Sequence, residues 1–254
     1  MSAARNNRRR HKRRRRFGLL YKLLAIAALA AALLLGATIF FQVEKVVVSG
    51  AERYTDQEII QAAGVSQGDN LFRLNWYEMS RQIRSRLPYI ETVNLRPSLP
   101  DTLLINVTES RAVAWLAGEE GDWLLSPAGK VLENVPAGTA NGICLTGLEP
   151  VGLAAGAHLE VPEEQQLRLD GLLALMEVLE SRGLTDKVSA IDLSSAARMV
   201  MTYDDGRFTV RLPVSGDFDY LIQALEEAIG TLESYETGTM DLTVEDYTVV
   251  FSPG

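Results

Sequence analysis

Apolar and polar positions change period several times along this 254-residue chain, and each change predicts an element. Leu23 to Phe41 carries no charged residue over 19 positions. A helix of that length is roughly 28 Å long, close to the ~30 Å hydrocarbon core of a bilayer, and predicts a membrane-spanning segment. Glu44 to Gly50 alternates as a strand. Thr55-Asp56-Gln57-Glu58 is a capping box opening a short helix, with Gly64 as its stop. Asn75-Trp76-Tyr77-Glu78 starts a second helix. Its apolar face is Trp76, Met79, Ile83 and Leu87, and Pro88 ends it. Glu91–Arg96 and Thr102–Glu109 alternate as strands around the turn residues Pro97 to Asp101.

After Ala112 the segments shorten. Asp122–Leu125 and Lys130–Glu133 read as a hairpin around Ser126-Pro127-Ala128-Gly129, and Ile143–Thr146 as a further strand. Gln165–Arg182 reads as a helix through Leu169, Leu172, Leu173, Met176 and Leu179. Val188–Leu193, Arg198–Asp204 and Arg207–Leu212 read as strands, the last two joined by the hairpin signal Asp204-Asp205-Gly206. Asp217–Ser234 is a strongly amphipathic helix. Met240–Val244 and Tyr247–Phe251 close the chain as a strand or hairpin. The expected fold class is α+β: one N-terminal transmembrane helix, a βααββ domain, and a second mixed α+β domain with an antiparallel sheet. The expected divisions are a basic tail at 1–22, the span at 23–42, the first domain at 43–111 and the second at 112–254.

Charge sharpens the picture. Ten of the 25 Lys and Arg, among them Arg13, Arg14, Arg15, Arg16 and Lys22, precede residue 44, and no Asp or Glu does. A positive flank holds the N-terminus in the cytoplasm and sends the bulk of the chain outside. The rival reading is a cleaved signal peptide. It requires a shorter apolar run followed by small residues, where this chain has Ile39, Phe40 and Phe41. Beyond residue 43 the chain has 15 basic against 33 acidic residues, a net of −18, which argues against binding nucleic acid. Cys144 is the sole cysteine, so no internal disulfide forms.

Candidate chemistry is sparse. A nucleophile–base pair needs a histidine, and beyond the tail there is only His158, in a Gly/Ala-rich stretch. No Cys pair, His pair or calcium-type acidic loop suggests a metal, and no Gly-rich phosphate loop suggests a nucleotide. The carboxylate pairs Glu119/Glu120, Glu163/Glu164, Asp204/Asp205 and Glu226/Glu227 are sequence neighbours that diverge on a helix or strand. No cofactor, metal, catalytic residue or small-molecule substrate is expected.

Several runs together carry a family resemblance: Val43 to Gly50, Gly68-Asp69-Asn70-Leu71-Phe72, Leu87-Pro88-Tyr89-Ile90, Arg96 to Leu103 and Val107 to Ala114. They resemble a POTRA domain directly after a single anchor. Trp123-Leu124-Leu125, Gly129-Lys130-Val131-Leu132, Leu145-Thr146-Gly147-Leu148, Ile191-Asp192-Leu193 and Met240-Asp241-Leu242 extend the likeness. The whole resembles the bacterial cell-division family FtsQ/DivIB. The resemblance implies a non-enzymatic bitopic scaffold at the division septum. Its partners would be FtsB/DivIC-like and FtsL-like single-pass coiled-coil proteins, and its role to help control septal peptidoglycan synthesis. It also implies strand addition at the far edge of the second domain, which maps here to Thr243, Val244, Tyr247, Val249 and Phe251. The Gram-negative form has a basic and an aromatic residue after its Asp-Leu, where this chain has Thr243 and Val244. Tyr247, Val249 and Phe251 read equally as core residues of a terminal strand. Two other classes stand beside the scaffold. One is a signal-anchored extracytoplasmic enzyme of the cell envelope. The other is a POTRA-bearing chaperone of outer-membrane or secretion machinery, which usually has several such domains and a barrel.

Overall fold

The computed structural model describes residues 21–32, 36, 40–243 and 249–254. Residues 21–32 are helical and exposed, and Lys22 lies among them. Among the described residues no helix is long and apolar enough to cross a membrane. Six residues of the expected span, 33–35 and 37–39, lie outside the described residues, as do Arg13, Arg14, Arg15 and Arg16.

The first half follows its local signals closely. Strand β1 (Lys45–Ser49) precedes helix α1 (Asp56–Ala63). Glu58 N–H donates to Thr55 Oγ1 at 3.3 Å and Thr55 N–H to Glu58 Oε2 at 2.8 Å, completing the capping box. Gly64 ends the helix at φ +67°, a left-handed value that a Cβ would strain. Helix α2 (Trp76–Arg86) starts where Asn75 Oδ1 accepts Glu78 N–H at 3.1 Å. Near its end, Arg86 reaches back to Gln61 O and Ala62 O of α1.

Strands β2 (Ile90–Ser98) and β3 (Thr102–Glu109) complete a three-stranded sheet of order β1-β3-β2. β3 is central, so Leu103, Ile105 and Val107 bury under the helices while Leu104, Asn106 and Thr108 face out. Pro97 sits in β2, an edge strand, where a missing N–H need not break a ladder. Ile59, Leu71, Ile83, Ile90, Leu103 and Ile105 are fully buried. Each contributes about 1.5–3 kcal/mol through burial.

The second half forms a larger core on a nine-stranded sheet. Its elements are β4 (Ala114–Ala117), β5 (Asp122–Leu125), β6 (Val131–Val135), β7 (Ile143–Thr146), α3 (Gln166–Ser181), β8 (Val188–Asp192), β9 (Arg198–Tyr203), β10 (Phe208–Pro213), α4 (Phe218–Gly230), β11 (Gly238–Asp241) and β12 (Val250–Pro253). Spatially the order is β12-β11-β10-β9-β8-β7-β4-β5-β6. The expected antiparallel sheet is corrected: the sheet is mixed. β4 pairs β7, β7 pairs β8 and β10 pairs β11 in parallel. For the β7/β8 and β10/β11 pairs the physical reason is the two helices. Each crosses back over the sheet between successive strands, α3 between β7 and β8, α4 between β10 and β11, so both strands of each pair run the same way.

These two crossovers end alike. At the end of β8, Asp192 Oδ1 accepts the Ser194 N–H at 2.9 Å and its hydroxyl. After β11, Asp241 Oδ1 accepts the Thr243 N–H at 2.9 Å and its hydroxyl at 2.6 Å. Both are Asp turns that terminate a strand, and these bonds help hold both carboxyls below the usual aspartate range. Helix α3 lies close to the chain beyond β10, because Gly171 has no side chain: a Cβ there would come 1.9 Å from Val214 O. Arg182 then ties α3 to α4 through Asp219 at 2.8 Å and Glu226 at 3.3 Å. Both helices cover one face, burying Ile143, Ile191, Met201 and Val210. The alternate residues Trp115, Cys144, Val200 and Arg211 stay half-exposed on the other face.

Candidate partner-binding edge

A sheet of this kind has two margins, and they are finished differently. The β6 margin is covered. Val131 N–H donates to Ala157 O and Gly156 N–H to Val131 O, both at 2.8 Å, so the 154–158 loop occupies the outer positions of the strand. Lys130 bridges His158 through the backbone. Its side chain, 3% exposed, crosses to the first half and donates to Arg84 O at 3.1 Å and Ile90 O at 2.8 Å. Burial pushes the Lys130 ammonium below the ordinary lysine range, and nearby Glu91 opposes that shift.

Next along β6, Glu133 accepts the Tyr89 hydroxyl at 2.6 Å and pairs with Arg53 at 3.3 Å. The Arg53 guanidinium lies 3.8 Å over the Tyr89 ring. Burial, then the Glu133 bond, pushes the Tyr89 phenol up. Gly156 approaches so closely that a Cβ there would lie 2.7 Å from Ser85 O. The two halves are thus joined by polar contacts, buried at Lys130–Ile90 and partly buried at Tyr89–Glu133, as well as by the chain. A cleft of about 810 Å³ opens beside them, lined by Arg53, Tyr89, Glu91, Glu109, Arg111 and Glu180 among others.

Among the described residues the β12 margin is open: β12 pairs β11 alone, antiparallel, with Met240 opposite Phe251 and Asp241 opposite Val250. Gly254 N–H donates to Thr237 O at 2.9 Å. Antiparallel hydrogen bonding alternates from there, so Ser252 and Val250 also turn their backbone groups towards β11. The N–H and C=O of Phe251 therefore point outward. Pro253 falls on an outward position too, where its missing N–H costs the β11 ladder nothing.

Side chains divide the other way. Phe251 packs edge-on to Phe208 at 6.4 Å between ring centroids, and Val249 rests on the same core. Val250, 43% exposed, faces solvent. Thr243 is exposed and held in the Asp241 turn. Val244 and Tyr247 lie outside the described residues. The structure thus brings Val249 and Phe251 together on one strand margin, with their side chains inward and the Phe251 backbone outward. No pattern within 249–254 announces which way the backbone points; that follows from the pairing with β11. Lys130 and Tyr89 stood in recognisable runs, but nothing local linked them across the two halves.

His158 is exposed and lines a small cleft with Arg81, Arg84, Ser85, Glu91 and Lys130. The Ser85 hydroxyl donates to Gln82 O at 3.1 Å. Cys144 is half-buried, and burial raises its thiol above the ordinary range. Among the described residues no group of three or more His, Cys, Asp or Glu could hold a metal ion.

A family model described as "POTRA domain, FtsQ-type" matches residues 41–110. The cell division protein FtsQ of Corynebacterium glutamicum is 22% identical over 180 residues, covering 68% of this chain and 74% of that one. The cell division protein DivIB of Clostridium acetobutylicum is 25% identical over 200 residues, covering 77% of this chain and 75% of its own. FtsQ of Geotalea daltonii is 36% identical over 81 residues, 32% of this chain and 29% of that one. The solved extracytoplasmic domain of the trans isomer of DivIB from Geobacillus stearothermophilus has 17% identity and a TM-score of 0.26. That match covers 42% of this chain and 81% of the solved one.

Proposed function

We propose that this chain, a cell-division protein of the FtsQ/DivIB kind, is a non-enzymatic scaffold that captures a partner by strand addition at β12. One observation carries the proposal: among the described residues no strand lies opposite the outward N–H and C=O groups on the Phe251 side of β12. An open edge offers backbone hydrogen bonds for affinity, and alternate side chains for specificity. Phe251 and Val249 hold the strand to the core, leaving the backbone and the exposed Val250 to the partner.

The partner class is an FtsB/DivIC-like protein, accompanied by an FtsL-like one, and the assembly helps control septal peptidoglycan synthesis. The chain divides for this purpose into a tail at 1–22, an anchor at 23–42, a POTRA domain at 43–111 and the edge-bearing domain at 112–254. Arg13 to Arg16 and Lys22 set its topology, with the N-terminus cytoplasmic and the bulk outside, on the cell membrane at the septum.

The test replaces Val249 by proline, whose ring cannot donate and blocks ladder pairing. The expected outcome is loss of co-purification with the FtsB/DivIC-like protein while circular dichroism and the thermal midpoint hold. Undiminished capture rejects this edge.

A further inference from the structure

Three phenylalanines meet where the uncharged run ends. The Phe40 and Phe41 rings contact edge-on at 5.2 Å, and Phe41 and Phe72 do so at 5.0 Å. Phe41 is partly covered, but Phe40 is 65% exposed and Phe72 62%. A row of aromatic rings left open to solvent is unfavourable unless something apolar receives it.

Phe72 is brought there by its loop, and the loop is fixed. Leu71 N–H donates to Phe41 O at 2.9 Å, Val43 N–H to Asp69 O at 2.7 Å, and Gly68 N–H to Val43 O at 2.9 Å. Gln42 bridges Asn70. Leu71 itself is fully buried in the first core, while its neighbours Phe72 and Arg73 are exposed. The loop therefore turns one apolar residue inward and the next outward, beside the chain as it leaves the apolar run.

We infer that the 68–73 loop docks on the bilayer surface, with Phe72 entering the headgroup–acyl boundary beside Phe40 and Phe41, and Arg73 reaching lipid phosphates. The inference rests on the anchored reading above. The occupant is lipid because the patch is continuous with Leu23 to Phe41, the run predicted to lie in the bilayer. Aromatic and long basic side chains both favour that boundary. A second attachment point near the anchor would fix how the first domain stands on the membrane, and hence where β12 is presented.

The experiment uses the full chain with Cys144→Ser, reconstituted in phosphatidylcholine/phosphatidylglycerol vesicles. Single nitroxide labels are placed at Leu29→Cys, Phe72→Cys and Tyr235→Cys. Accessibility to oxygen and to a nickel chelate reports depth. The label at 29 is expected to be oxygen-accessible and nickel-protected, and the label at 235 the reverse. The label at 72 is expected to lie shifted towards that at 29. A label at 72 that matches the one at 235, while the one at 29 is deep, overturns the docking and leaves the anchor standing. A label at 29 that reads as aqueous overturns the anchor, and this inference with it.

Discussion

β6 and β12 are the two ends of one sheet, yet the chain treats them oppositely. β6 is short, overlain by the 154–158 loop, and clamped to the first half by Lys130 and Glu133. β12 is shorter still and, among the described residues, has no strand on its outer side. An exposed strand margin is an aggregation hazard that proteins usually cover or charge. Covering one end with several specific bonds while leaving the other bare separates two jobs. The closed margin ties the two halves together, and in the function proposed above the open one receives another chain. Pro253 keeps the open margin short, since it cannot donate to a long added strand.

The largest effect should come at the open end. Val249→Pro is expected to weaken partner capture by about 3 kcal/mol, roughly a hundredfold in Kd, as titration by calorimetry or surface binding would read. At the closed end, Lys130→Ala leaves Arg84 O and Ile90 O without their charged donor. It should lower unfolding free energy by about 2–4 kcal/mol in denaturant titration while capture at β12 survives. Loss of capture in that variant would mean the two margins are not independent.

Gly156→Ala is expected to cost about 1–3 kcal/mol, because φ is +88° and the new Cβ presses on Ser85 O. Faster proteolysis between residues 110 and 113 would locate the damage at the junction. Tyr89→Phe is the mildest, about 1 kcal/mol at neutral pH for the bond to Glu133. It also carries a pH signature. The folded Tyr89 phenol is raised above its ordinary 10.0, so its contribution is intact below pH 10 and is lost as pH rises through the folded value. Stability profiles of the parent and of Tyr89→Phe should converge in that alkaline range. Parallel profiles would remove Tyr89 from the junction.

Much of the first half was readable from local pattern. Thr55/Glu58 and Asn75 cap the helices that their spacing predicts, and Leu103, Ile105 and Val107 bury as their alternation requires. The second half was readable by element but not by arrangement. Strand β4 has no legible signal of its own: its four residues are all apolar, so no alternation marks a face, and pairing on both sides with β5 and β7 makes it a strand. Gly171 lies inside helix α3 and carries no side chain. It is the contact that lets α3 approach Val214.

The sequence by itself determined the type and order of most helices and strands, the faces buried in the first half, and the excess of acid beyond residue 43, while the closing strands fall at Gly238–Asp241 and Val250–Pro253 where Met240–Val244 and Tyr247–Phe251 are expected. Those properties depend on neighbours within a turn or two. Tertiary structure alone decided the mixed strand order, the Lys130 and Glu133 contacts across the halves, and which way the Phe251 backbone points. The physical reason is that a hydrogen-bonding backbone group is the same at every residue. Its partner is chosen by how distant elements pack, and no local pattern records that choice.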